Sequence, residues 1–116
     1  MDESAKPARL EDGADLDAFV DEHDVALVEF YTKGCERCNA MVPVLGNVAR
    51  VADVSIALLN PGNDITLVDR FDIRSVPTLV LFEDGEEVGR LAEGFMKTET
   101  VLSLLEDHVP GAVDDA

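Results

Sequence analysis

The organisation of the chain turns on "VEFYTKGCERCNAMVPVL", residues 28–45, which holds its only two cysteines, Cys35 and Cys38. The run leading into it, "VALVEFY" (25–31), is apolar on both alternating faces except at Glu29, as expected of a central strand buried on two sides. The run that follows predicts a helix from near Cys35 to about Ala52, with Pro43 inside it as a kink. A cysteine pair thus stands where a buried strand hands over to a helix. Such a pair is either a set of metal ligands or a working disulfide.

Composition bounds the choice. A chain of 116 residues that is 47% hydrophobic, with five Phe, one Tyr and no Trp, can fill one compact core and not two, so residues 1–116 are expected to form a single domain. The N-terminal "MDESAKPARLEDGAD" has no apolar signal-like region, and runs such as "VPTLVLF" fall far short of the ~18 residues that cross a bilayer. The expectation is a soluble, unexported, cytoplasmic protein. In a reducing compartment a lone cysteine pair is a poor structural staple, which favours catalysis, redox sensing or metal binding.

Charge is the second global feature. With 25 Asp and Glu against 9 Lys and Arg, the net charge is -16, and nucleic acid and anionic membranes are poor partners for such a surface. The acids are spread through "EDGADLD", "DEHD" and "EDGEE". This resembles the surface of a protein from a salt-accumulating halophile, because a screening length of about 3 Å at 1 M salt removes most of the self-repulsion.

Along the chain, short apolar runs alternate with longer amphipathic ones. Residues 1–13 read as a frayed tail and "DLDAFVDEHD" as a first helix. After the central strand and the helix from Cys35, "DVSIALL" predicts a strand, "DITLVDRF" a short helix and "TLVLFE" another strand. "EDGEE" turns the chain back into "EVGRLA" as a hairpin. "KTETVLSLLEDH" predicts a last helix beginning near Thr98, and "PGAVDDA" (110–116) a second acidic tail. The fold class is α/β, a central mixed β-sheet flanked by helices on both faces.

That order sets Cys35 at the carboxyl end of a central strand and in the first turn of a helix. Free backbone N–H groups and the positive end of the helix dipole favour an anion there, so a thiol at that point loses its proton more easily. Cys38 lies about one turn further in and is less exposed. Two thiols with this asymmetry can form a mixed disulfide at the outer sulfur and release it through the inner one.

From about residue 16 to 108 the sequence resembles the thioredoxin family. Three blocks carry the resemblance in order: residues 28–45 are similar to the family's strand, active-site loop and kinked helix; "FDIRSVPTLVLFEDGEEVG" (71–89) to its later segment with a Val-Pro-Thr triplet; and "EGF" to the stretch in which Gly94 follows the final strand. The resemblance implies a thioredoxin fold and a thiol-disulfide oxidoreductase with no bound cofactor. It implies Cys35 as attacking thiolate, Cys38 as resolving thiol, and a cis Pro77 holding Val76 so that its backbone pairs with a substrate peptide. Its implied partners are disulfide-containing proteins and a separate disulfide reductase as electron donor, with the protein acting as a monomer.

Glu29 stands where the family commonly has a buried Asp that assists proton transfer to the resolving cysteine. Desolvation raises the pKa of a carboxylate without water or a partner, which would let Glu29 exchange a proton with Cys38 near neutral pH. The competing reading pairs Glu29 with Arg74 and gives it no catalytic part. Elsewhere the chain departs from the family. The usual Trp before the first cysteine is Gly34, Glu36 and Arg37 replace Gly-Pro between the cysteines, and Leu58 replaces a basic residue, leaving Glu29 without that neighbour. Glu36 opposes a thiolate at the helix start and Arg37 favours one. Gly34, Glu36, Arg37, Val76, Pro77 and Gly94 form the expected substrate-binding set.

The remaining candidates read as structural. Tyr31, Met41, Val44, Leu45 and Val48 are expected in the core, and His23 and His108 in solvent. A zinc site needs four ligands and normally a second closely spaced Cys or His pair, which the sequence lacks. The alternatives to the oxidoreductase are a metal or Fe-S site completed across a dimer, a redox-inactive interaction module, and a more specialised glutaredoxin-like protein.

Overall fold

The computed structural model describes residues 6–113. Its centre is the apolar run before the cysteines. Strand β2 (Val25–Phe30) is buried from Ala26 through Phe30, pairs parallel with β3 (Ser55–Leu59), and pairs antiparallel with β4 (Thr78–Glu83). β5 (Glu86–Leu91) pairs antiparallel with β4. The two-residue turn between them, Asp84-Gly85, has positive φ at both positions, the geometry a tight hairpin requires. A short strand β1 (Ala8–Leu10) runs parallel to β3 on its outer side, giving a five-stranded mixed sheet of order β1-β3-β2-β4-β5.

Alternation along β2 divides the core into two layers. Leu27 joins Leu58, Leu79 and Leu81 under α2 (Glu36–Val51) and α4 (Thr98–His108), where Met41, Val44, Leu45 and Val48 of α2 meet Val101, Leu104 and Leu105 of α4. Ala26, Val28 and Phe30 face the other way, against Leu16, Phe19 and Val20 of α1 (Gly13–Glu22) and Leu67 of α3 (Thr66–Arg70). Phe71 closes that layer, stacked obliquely on Phe30 at 5.5 Å and edge-on to Phe82 at 5.8 Å. Helices therefore cover both faces of the sheet.

Two parts of the expected outline change. The frayed tail over 1–13 is structured where it is described, since residues 8–10 form β1 and Asp12 caps α1 by accepting the Asp15 N–H at 3.0 Å. Ala8 and Leu10 pack on the α1 layer, so a three-residue edge strand is held by tertiary contacts that its own sequence barely signals. At the other end Pro110–Ala112 form a 3-10 turn, Ala112 is buried, and Val113 bridges to Ala52. The rest of the two expected tails, residues 1–5 and 114–116, lies outside the described residues.

Candidate active site

The strand registers gather four loops at one end of the sheet. Phe30 is level with both Leu59 and Thr78, and Leu79 with Leu91. Residues 31–35, 60–65, 72–77 and 92–97 thus emerge on the same side, and the cysteines stand among them.

Cys35 is the N-cap of α2, and its Sγ accepts the backbone N–H of Cys38 at 3.1 Å. The helix start thereby directs a free amide at this sulfur, an arrangement that stabilises negative charge on it. The approach depends on Gly34, whose φ of 81° lies in the left-handed region that costs an L-residue about 1 kcal/mol or more. Cys35 and Cys38 form a disulfide with Cα atoms 5.2 Å apart. Cys35 is half-buried while Cys38 is 1% exposed, so a partner in solution meets Cys35 first.

On the neighbouring loop, before β4, the Val76–Pro77 bond is cis, Pro77 is buried and Val76 is half-buried. The Thr78 hydroxyl donates to the Ser75 carbonyl at 2.7 Å and closes this turn. On the third side Gly94 has φ 78°, and a Cβ added there would lie 3.2 Å from Nη1 of Arg37. Arg37, between the cysteines, therefore lies over Gly94. The next backbone amide but one, that of Met96, donates to the sulfur of the fully buried Met41 on α2 at 3.3 Å. Glu36 is exposed in the first turn of α2.

Glu29 lies beneath this surface on the α2 face of the sheet, two residues beyond Leu27, and is 1% exposed. Its Oε2 has no hydrogen-bond partner in the protein. Burial pushes its pKa from 4.5 up to about 8, and the positive charge of Arg9 pulls the other way. Arg74 does not pair with it, because its guanidinium bonds Asp72 at 3.0 Å in solvent. Arg9 stands on β1, level with Leu58, which is itself level with Glu29.

A thioredoxin family model matches residues 9–107. Among curated proteins, thioredoxin from Chlamydia pneumoniae is 32% identical over 85 residues, covering 72% of this chain and 82% of the relative. The chain belongs to the thioredoxin family. Thioredoxin from Mycobacterium tuberculosis is 35% identical over 86 residues, covering 72% and 73% of the two chains. Among solved structures, a mutant thioredoxin from Halobacterium salinarum superposes with a TM-score of 0.83 at 29% identity, covering 93% of this chain and 95% of the other. Schistosoma mansoni thioredoxin shares the fold with a TM-score of 0.79 at 18% identity.

As a thioredoxin-family protein with a Cys35–Cys38 disulfide at the start of α2, the chain is a thiol-disulfide oxidoreductase. Membership brings disulfide-containing substrates and a reductase donor as general partners. No helix among the described residues is long and apolar enough to cross a membrane. Neither histidine joins the thioredoxin site. His23, expected in solvent, is half-buried at the opposite end of β2, where Nδ1 lies 3.0 Å from the Ser55 hydroxyl and the ring packs on Phe19 at 4.6 Å. His108 is exposed beside Gly89. Among the described residues, no group of three or more His, Cys, Asp or Glu side chains converges in a metal-binding arrangement.

Arg9 and Phe95 are the two residues of this region that sequence reasoning missed. Arg9 fell in the presumed tail. Phe95 follows Gly94 directly and is 50% exposed, and a bulky aromatic right after the glycine of "EGF" was the available signal.

Proposed function

We propose that Cys35 is the attacking thiolate and Cys38 the resolving thiol of a cytoplasmic protein-disulfide reductase that works as a monomer without a bound cofactor. In the reduced protein the Cys35 thiolate attacks one sulfur of a substrate disulfide, forming a mixed disulfide and releasing the first substrate thiolate. Cys38 gives its proton to the Glu29 carboxylate and attacks the Cys35 sulfur, which expels the second substrate cysteine as a thiolate, protonated by solvent, and leaves Cys35–Cys38 oxidised. A separate dithiol reductase returns the two electrons.

One observation carries the assignment of roles: the Cys38 amide donates to the Cys35 sulfur at the helix start, while Cys38 itself is buried. The first sulfur is stabilised as an anion and reachable; the second is reachable chiefly from Cys35. Glu29 supports the proton step, since a carboxylate titrating at about 8 exchanges protons near neutral pH. Val76, Pro77, Gly94, Gly34, Glu36 and Arg37, on loops at the cysteine end of the sheet, make up the substrate-binding set of this reading, and the acidic surface suits a salt-rich cytoplasm.

The experiment is a trap. Cys38→Ser is expected to accumulate a mixed disulfide between Cys35 and a disulfide-bonded substrate protein, detected by mass, while Cys35→Ser forms none. Trapping through Cys38 in the Cys35→Ser protein instead would reverse the two roles.

A further inference from the structure

Charge is distributed unevenly over the molecule. The segments 31–37, 72–77 and 92–97, which frame Cys35, carry Lys33, Arg37, Arg74 and Lys97, four of the nine basic residues of the chain. Against them stand Glu36, Asp72 and Glu93, so these three segments are close to neutral while the whole chain has a net charge of -16. The acids gather at the other end of the strands. Val25 is level with Glu83, which brings the cluster at 21–24 beside the hairpin cluster at 83–87. Glu11, Asp12 and Asp64 lie at the cysteine end but on the β1–β3 side, where Asp64 is engaged by Gly13 and Thr66.

The local cations are also available. The ion pairs of the described residues use Arg70, Arg74 and Arg90, so Lys33, Arg37 and Lys97 have no acidic partner there. Apolar surface is exposed on the loop that carries Lys97. Phe95 is half exposed, and its neighbour Gly94 is covered by Arg37. An aromatic ring beside unpaired cations suits a partner that presents an apolar side chain flanked by carboxylates.

We infer that the cysteine end docks an acidic disulfide-bearing segment, with Phe95 against an apolar residue near the partner cysteine and Lys33, Arg37 and Lys97 against its carboxylates. The inference rests on the reductase reading above and names the class of substrate. An acidic partner is repelled by the acid-rich opposite end, so repulsion there helps turn the thiol-bearing segments toward it. Basic segments meet the reverse: they are drawn to the acidic end, away from Cys35.

The test uses the pre-reduced protein in single-turnover reactions, which need no electron donor. Two peptides share one disulfide loop and differ only in flanking residues, Asp in one and Lys in the other. Expected is a second-order rate constant about tenfold higher for the Asp peptide at low ionic strength, with the ratio shrinking toward one at 1 M salt. In Lys33→Glu/Lys97→Glu the ratio should invert. In Lys6→Glu/Arg50→Glu, which changes the net charge equally at the opposite end, it should stay as in the unmodified protein. Equal rates for the two peptides, faster reaction of the Lys peptide, or equal shifts in both double variants would overturn the docking inference while leaving the reductase reading intact. Reduction of neither peptide would sink both.

Discussion

Arg9 and Glu29 stand in one cross-strand row of the sheet with Leu58 between them. Ala8 and Leu10 pack on the α1 layer, so Arg9 between them faces the α2 side, as Glu29 does. A strand lost to view in an apparent tail thus supplies the charge that acts on the buried carboxylate.

The first prediction concerns this row. Removing the positive charge in Arg9→Gln should move the Glu29 pKa further above about 8, because only the opposing cation is lost and the burial remains. Carboxyl-carbon NMR titration of the protein reads this directly. The shift should fade at 1 M salt, since Arg9 is exposed and screened. An unchanged titration would detach Arg9 from Glu29.

Glu29→Gln should slow release of the mixed disulfide, because Gln cannot take the Cys38 proton. The loss should be greatest where the unmodified protein holds Glu29 ionised, toward and above pH 8. Stopped-flow release of substrate thiol across the pH range checks it, and equal release rates at every pH would remove Glu29 from the mechanism.

Stability should change in the opposite direction. The folded protein keeps a proton on Glu29 up to about 8, whereas the unfolded chain loses it near 4.5. Between those values the native state binds more protons, so this residue makes stability fall as pH rises, levelling off above 8. Glu29→Gln should therefore match the unmodified protein near pH 4 and exceed it at pH 9, by at most about 5 kcal/mol. Urea denaturation at the two pH values measures the difference.

Gly94→Ala should lower stability by about 1 kcal/mol through its left-handed backbone, and the new methyl would push the Arg37 guanidinium aside by a few tenths of an ångström. Denaturant midpoints test the first effect. The rate of substrate reduction, which should drop with Arg37 displaced, tests the second.

Salt should stabilise the fold. The Asp84 amide donates to the Asp24 carbonyl at 2.8 Å, so backbone bonding holds two acidic clusters together against their mutual repulsion. Tm is expected to rise steeply with salt, and a flat response would contradict the halophilic reading. Asp84→Asn, which tolerates the positive φ of 53°, should raise Tm by roughly a few °C in dilute buffer and by little at 2 M salt.

How much of this was legible follows from where the signals lie. β4 and, apart from Glu29, β2 are apolar runs, so the sheet centre was readable, whereas the cysteine pair alone left metal ligation and a working disulfide open until the family resemblance of the three blocks weighed for the disulfide. β1 was not readable, because three residues beside Pro7 carry almost no periodic pattern and gain their structure from β3. For the same reason Leu58 seemed to leave Glu29 without a basic neighbour, although one stands a strand further out. The contact of Arg37 with Gly94 joins residues far apart in the chain, and the half-burial of His23 depends on Ser55 from another strand. Neither has a local signature.

The bond from the Met96 amide to the Met41 sulfur has a mechanical meaning. It ties the helix that bears both thiols to the loop that presents Phe95, so the two sides of the site are joined through the core as well as along the sheet.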